Sequence, residues 1–208
     1  MKTQVFHQCT GVAGALIVQG GLVGVPTETV YGLAADGLNA AAVEKIYVVK
    51  NRPGTKPISL LVTGMEQVCV FCKDIPQAAY ALAEAFWPGP LTMILHKRDN
   101  VPAIVTAGGD TVGVRCPDHP LTLALIREAQ RPLAAPSANL SGMPSPKSAQ
   151  EVLAYFDGKV DAVIDGGVCA IGVASTIVDL TSETPRLLRA GGLSVDEILS
   201  KTGIVIQQ

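Results

Sequence analysis

Residues 39–62 read NAAAVEKIYVVKNRPGTKPISLLV. Asn39 is a good N-cap, and Val43, Ile46 and Tyr47 share one helical face, so a helix is expected over 40–49. Pro53 and Gly54 stop it. Ile58 to Val62 is then an apolar run of strand length. Helix, turn and strand in immediate succession point to an α/β chain.

The alternation continues in both directions. Helices are expected over 11–19, 77–86, 119–130, 148–156 and 194–200. Strands are expected over 22–25, 91–95, 111–115, 133–135, 161–164, 176–180 and 186–189. Ser148 and Glu151 have the spacing of a capping box. Pro26 to Leu33 opens with proline and hydroxyls, as a turn into a helix does. No internal repeat or low-complexity linker interrupts the pattern. Residues 1–208 are expected to form one α/β domain around a twisted sheet of mixed direction, not a strict βαβ repeat.

At 208 residues the chain can bury a sizeable core without metal or disulfide staples. Hydrophobic residues at 48% against charged residues at 16% exclude a disordered chain. A net charge of −2 argues against a global nucleic-acid field. Five cysteines form no even framework, which favours free thiols in a reducing compartment. The N-terminus lacks a signal peptide's apolar core, and no run is long enough for a membrane span. A soluble cytoplasmic protein without membrane contact is expected.

The turn inside the opening stretch carries Lys50, Arg52 and Lys56. One cation there needs no more explanation than the helix macrodipole, about 0.3–1 kcal/mol. Three, on a turn fixed by Pro53 and Gly54, suit phosphate oxygens. No G-x-x-x-x-G-K-[ST] occurs, so this is not a P-loop. Ser137 and Asn139 follow a short apolar strand, where α/β sites commonly form; an ordinary serine or Asx turn is the competing reading. Arg115 ends an apolar strand and must find an anion, in the protein or in a substrate carboxylate. Thr29, next to Thr27 and Glu28, is either a cap or a contact to a small polar substrate. Ser175 opens one strand and Arg189 ends another. Cys69 and Cys72 form a lone C-x-x-C without further ligands at zinc spacing. No nucleophile elbow and no acid/base pair appears. Chemistry here is expected to rest on positioning and charge neutralisation.

The runs PTETVYGLAADGLNAAAVEKIYVVKNRPGTKPISLLV, FWPGPLTMIL, DTVGVRCPDHP, PLAAPSANLSGMPSP, DGG and STIVDL resemble the YrdC family, the threonylcarbamoyl-AMP synthases. The resemblance runs from about Gly14 to Leu199 and is carried most specifically by Lys50/Arg52 and Ser137/Asn139. It implies a YrdC-like twisted, mostly open mixed sheet with flanking helices and a concave basic cleft. It implies that L-threonine, bicarbonate and ATP with Mg2+ give threonylcarbamoyl-AMP and pyrophosphate. The product would feed tRNA threonylcarbamoyladenosine modification through downstream transferase proteins.

Carried over residue by residue, Lys50 and Arg52 are the catalytic pair. Arg52, Lys56, Thr111, Ser137, Asn139, Ser145 and Arg189 would hold the nucleotide. Thr29, Arg115, the Ala135 backbone and Ser175 would hold L-threonine, Arg115 taking its carboxylate.

The chain departs from the pattern at two points. Many members read Pro-Leu-Ile-Val-His after the cationic turn; here Pro57-Ile58-Ser59-Leu60-Leu61 lacks the histidine. Arg189-Ala190-Gly191 stands for Arg-Pro-Gly. A stop at Gln208 is expected to mean the single-domain form. The competing classes are an RNA-binding or ribosome-assembly factor using the cleft for phosphates, and a paralogue with another acyl-adenylate substrate. Aromatic residues at only 4% weigh against stacking on single strands, while weak RNA contact stays open.

Overall fold

The computed structural model describes residues 2–8 and 11–208; Cys9 lies outside them. The strands are β1 (Gln4–Phe6), β2 (Val23–Val25), β3 (Gly32–Asp36), β4 (Leu60–Leu61), β5 (Cys72–Lys73), β6 (Leu91–Lys97), β7 (Thr111–Arg115), β8 (Leu133–Ala134), β9 (Ala162–Ile164), β10 (Thr176–Asp179) and β11 (Arg186–Arg189). The helices are α1 (Gly11–Val18), α2 (Ala40–Lys50), α3 (Met65–Phe71), α4 (Gln77–Phe86), α5 (Pro120–Ala129), α6 (Ala149–Phe156) and α7 (Val195–Thr202).

One sheet runs in the order β1-β9-β2-β3-β8-β4-β7-β6-β10-β11, with β5 paired to β6. It is mixed: β4 and β7 are parallel, as are β6 and β10, while β3, β8 and β4 are antiparallel neighbours. Helices cover both faces. Ala13 and Ile17 of α1 pack with Leu125 and Ile126 of α5 on one side. Ile46, Phe71, Leu82, Val152 and Ile198 fill the larger core on the other. The expected α/β class and mixed open sheet are observed.

Local chemistry explains the boundaries. Asn39 Oδ1 accepts from the Ala41 and Ala42 amides at 3.1 and 3.2 Å, which starts α2. The helix ends at Asn51, left-handed at φ 50°, before Pro53 and Gly54 are reached. Ala79, Leu82, Ala83 and Phe86 form the buried face of α4 at helical spacing. Ser194 and Glu197 complete a capping box on α7. At α6 only half the box forms: Ser148 accepts from the Glu151 amide, but Glu151 reaches back to the Lys147 amide instead.

The segment after Pro26 corrects one expectation. It enters strand β3, not a helix. Thr27 Oγ1 accepts from the Thr29 and Val30 amides at 3.2 Å and donates to Val30 O at 2.6 Å, closing a side-chain turn. A threonine hydroxyl serves such a turn as readily as a helix start. Leu33 and Ala34 are then fully buried by pairing with β2. The pattern also missed β1, α3 and β5, each short.

Candidate functional site

β4 and β7 run parallel at mid-sheet and end side by side at Leu61 and Arg115. A cavity of about 270 Å³ opens there. Among the sequence-predicted residues, Thr29, Arg52, Arg115, Ala135, Ser137, Ser145, Ser175 and Arg189 line it. They come from separate loops and strand ends along the chain. Leu61, at the point of departure from the family pattern, lines it too, and so do Thr27, Ser59 and Thr92, without a sequence signal that marked them.

Three arginines, Arg52, Arg115 and Arg189, line the cleft. Arg52 is anchored by its own turn, Nε to Lys56 O at 3.2 Å and Nη2 to Pro57 O at 2.8 Å. Arg115 is buried; its Nε donates to Gly89 O at 3.2 Å, and its Nη2 lies 2.7 Å from Glu28 Oε1. That ion pair is close but off the line of a hydrogen bond, so charge holds it. Arg189 donates through Nε and Nη2 to Ser175 O at 3.0 and 2.7 Å, and through Nη2 to Ser175 Oγ at 3.0 Å. Desolvation first, then the neighbouring Arg115 charge, lowers the Arg189 pKa from its ordinary value. Like charges held this close favour an anionic ligand between them.

The hydroxyls have a defined polarity. Thr27 spends its only proton on Val30 O, because a carbonyl has none to offer. The 2.8 Å contact between Thr27 and Thr29 hydroxyls is therefore donated by Thr29. Asn139 Nδ2 donates to Leu140 O and Met143 O, which fixes its amide, so Ser137 Oγ donates to Oδ1 at 2.5 Å. Ser137 thus has lone pairs left for a ligand and no proton; Thr29 has the same polarity but sits fully buried in the cleft wall.

Lys50, Lys56, Thr111 and Asn139 are not part of the lining. Lys50 is 1% exposed, and its Nζ donates to the carbonyls of Ser137 and Asn139 from behind the loop. Burial, then the charge of Arg52, brings its pKa from 10.5 down to about 7. Asn139 is buried inside the same loop. Lys56 is exposed on the turn beside Arg52. Thr111 starts β7 four residues from Arg115, roughly 13 Å along the strand.

Glu28 carries no signal of its own in the sequence, since its closeness to Arg115 arises only in the fold. Leu61 occupies the point where the family histidine is missing, and gives the cleft an apolar wall there. Gly167 is left-handed at φ 82°, and Tyr31 Oη accepts from the Gly166 amide and donates to Gly167 O. The Gly166-Gly167 pair is accordingly a pinned turn. Cys72 packs in the core while Cys69 is exposed.

No group of three or more His, Cys, Asp or Glu side chains stands at metal-binding distance among the described residues. Mg2+ tolerates this, because it is usually held through substrate phosphates and water. No helix among the described residues is long and apolar enough to cross a membrane.

A family model for Sua5, YciO and YrdC proteins, described as "Telomere recombination", matches residues 15–191. The chain is 50% identical over 187 residues to threonylcarbamoyl-AMP synthase of Pyrococcus abyssi, covering 90% of this chain and 55% of that protein. It is 46% identical over 192 residues to the Bacillus subtilis protein of the same name, covering 92% and 56%. The chain thus spans about half the length of these relatives. The crystal structure of P. abyssi Sua5 complexed with L-threonine superimposes with a TM-score of 0.95 at 46% identity, covering 99% of this chain and 63% of that one.

Proposed function

Because the chain belongs to the Sua5/YciO/YrdC family, we propose that it makes threonylcarbamoyl-AMP and pyrophosphate from L-threonine, bicarbonate and ATP. The observation that carries this is the convergence of Arg52, Arg115 and Arg189 with the acceptor hydroxyls of Thr29 and Ser137 on one cleft. The relative from P. abyssi binds L-threonine in a structure of the same fold.

In this reading Arg115 takes the threonine carboxylate, and Thr29 accepts from the neutral amine or the hydroxyl of the substrate. Ser175, held by Arg189, borders the same ligand. Ser137 and Ser145 face the nucleoside, with Lys50 and Asn139 fixing the loop that presents Ser137. Arg52 meets the phosphates, with Lys56 and Thr111 at the outer reach of the nucleotide.

Neutral threonine amine combines with bicarbonate to give a carbamate and water. A carbamate oxygen then attacks the α-phosphorus, a new P–O bond forms, and the bond to the β-phosphate oxygen breaks, releasing pyrophosphate. Mg2+, carried on the phosphates, neutralises charge on the leaving pyrophosphate. Orientation and charge supply the catalysis, and no side chain of the cleft need act as general base. The product is a mixed anhydride, suited to downstream transferase proteins that modify tRNA.

The test is pyrophosphate release from ATP with Mg2+ and bicarbonate, with and without L-threonine. Threonine-dependent release, unmatched by L-serine and lost in Arg52→Ala, is expected. No release above background, with RNA binding that fades as salt rises, sinks the reading and favours an RNA-binding role.

A further inference from the structure

Glu28 does not line the cleft, yet it contacts Arg115, which does, and the segment that leads to Ser175, which also does. Its Oε1 lies 2.7 Å from Arg115 Nη2, and its Oε2 accepts from the Asp118 amide at 3.1 Å, where the chain turns into α5. Its backbone carbonyl accepts from the Ile171 amide at 2.8 Å, in the segment that leads to Ser175. Its direct chain neighbour is Thr29. Both side chains of the ion pair are less than a tenth exposed.

We propose that Glu28 is a positioning residue for substrate recognition, acting through Arg115. This rests on the proposed function, in which Arg115 receives the L-threonine carboxylate.

Arg115 has five N–H donors. Nε is directed to Gly89 O, and Nη2 is drawn toward Glu28. Nη2 is enclosed, whereas Nη1 has no partner among the described residues and Arg115 lines the cleft, so Nη1 is the group open to a ligand carboxylate. With Nε tied to Gly89 O and Nη2 held 2.7 Å from Glu28, the plane of the Arg115 guanidinium is fixed from two sides. Without Glu28 the guanidinium would be buried beside Arg189 with no anion opposite it.

The carboxylate is needed because both of its partners are donors. A glutamine offers one acceptor oxygen and an NH₂ group. Turned either way, it points donors at Arg115 or at the Asp118 amide. Glu28→Gln thus keeps the side chain's shape and breaks its function.

The expected result is a KM for L-threonine at least tenfold higher in Glu28→Gln, with the KM for ATP unchanged within twofold. A double variant separates positioning from general loosening. In an Arg115→Lys background, adding Glu28→Gln should raise the threonine KM less than twofold further, because Arg115 no longer transmits it. A third readout needs no substrate: the Arg115 Nε–H resonance in 15N NMR, assigned by its loss in Arg115→Lys. Its slow solvent exchange in the wild-type protein should become fast in Glu28→Gln.

An unchanged threonine KM, a parallel rise in the ATP KM, or full additivity with Arg115→Lys overturns the proposal. If the wild-type protein does not respond to threonine but the Arg115 signal still depends on Glu28, the substrate reading fails and the positioning of Arg115 stands.

Discussion

Lys50→Met tests how the cleft is built. Methionine preserves an unbranched stem but removes the ammonium that bridges the Ser137 and Asn139 carbonyls. Leaving the buried Asn139 carbonyl without that donor costs about 1–3 kcal/mol, and the part-buried Ser137 carbonyl adds a smaller loss. Against this, the wild-type protein buries a charge. Its pKa falls from 10.5 to about 7, which at 1.36 kcal/mol per unit is of order 5 kcal/mol against the protonated form. The two effects are similar and opposed, so net stability should change by no more than about 2 kcal/mol. Positioning has no such offset. Ser137 hangs on the loop that Lys50 ties, and a displacement near 1 Å costs on the order of 100-fold in rate.

The assay is threonine-dependent pyrophosphate release beside thermal unfolding. The expectation is a fall of roughly 100-fold in kcat/KM with Tm shifted by less than about 8 °C. The pH dependence supplies a sign. Below about pH 7 Lys50 is protonated in both folded and unfolded chains, and its burial penalty is constant. Between about 7 and 10.5 the unfolded chain holds more protons, so the wild-type protein gains stability as pH rises. Lys50→Met should lose that rise. Retained kcat/KM in the variant refutes the positioning argument. A raised ATP KM with unchanged kcat refutes it differently, by making Lys50 a direct phosphate contact.

Arg189→Lys keeps the charge but not the forked grip on Ser175; as Arg189 is more than a third exposed, solvent reduces the expected loss to about 1 kcal/mol, or fivefold in kcat/KM, read by steady-state kinetics. Gly191→Ala places a Cβ 2.3 Å from Ala174 O and 2.4 Å from the Ser175 carbonyl carbon, both backbone, so about 3 kcal/mol of stability should be lost together with threonine affinity. Gly54→Ala, with nothing within 4 Å of the new Cβ, should unfold within about 0.5 kcal/mol of the wild-type protein; equal Tm values for the two variants would contradict the packing argument.

Long elements with one buried face were legible. The Asn39 cap and the 43–46–47 stripe gave α2, and α4 and β7 were placed at their observed bounds. Residues 26–33 were not, because proline and threonine hydroxyls serve turns and helix starts alike. Pairing decides between the two: Leu33 and Ala34 meet β2, a partner found only in three dimensions. β1 and β5, of three and two residues, are too short for any periodicity to show.

The site divided in the same way. Cations on a tight turn announced Arg52, and a charge closing an apolar strand announced Arg115. Sequence chemistry could say that such groups need an anion but not which side of a loop they reach it from. Lys50 and Arg52 are two residues apart, yet Arg52 lines the cleft while Lys50 is buried behind it. The helix makes the difference: Lys50 is its last residue and points into the core face, whereas the left-handed turn at Asn51 swings Arg52 outward. Lys50 then meets the Ser137–Asn139 loop, which arrives from the opposite part of the chain. Glu28 shows the converse, since nothing local marks a carboxylate whose partners are an arginine and an amide far along the sequence. Ligand-facing groups could therefore be recognised by residue type, and the groups that aim them only by contact. A substitution such as Glu28→Gln or Lys50→Met is more informative than another change in the lining, because it separates the charge of the cleft from its geometry.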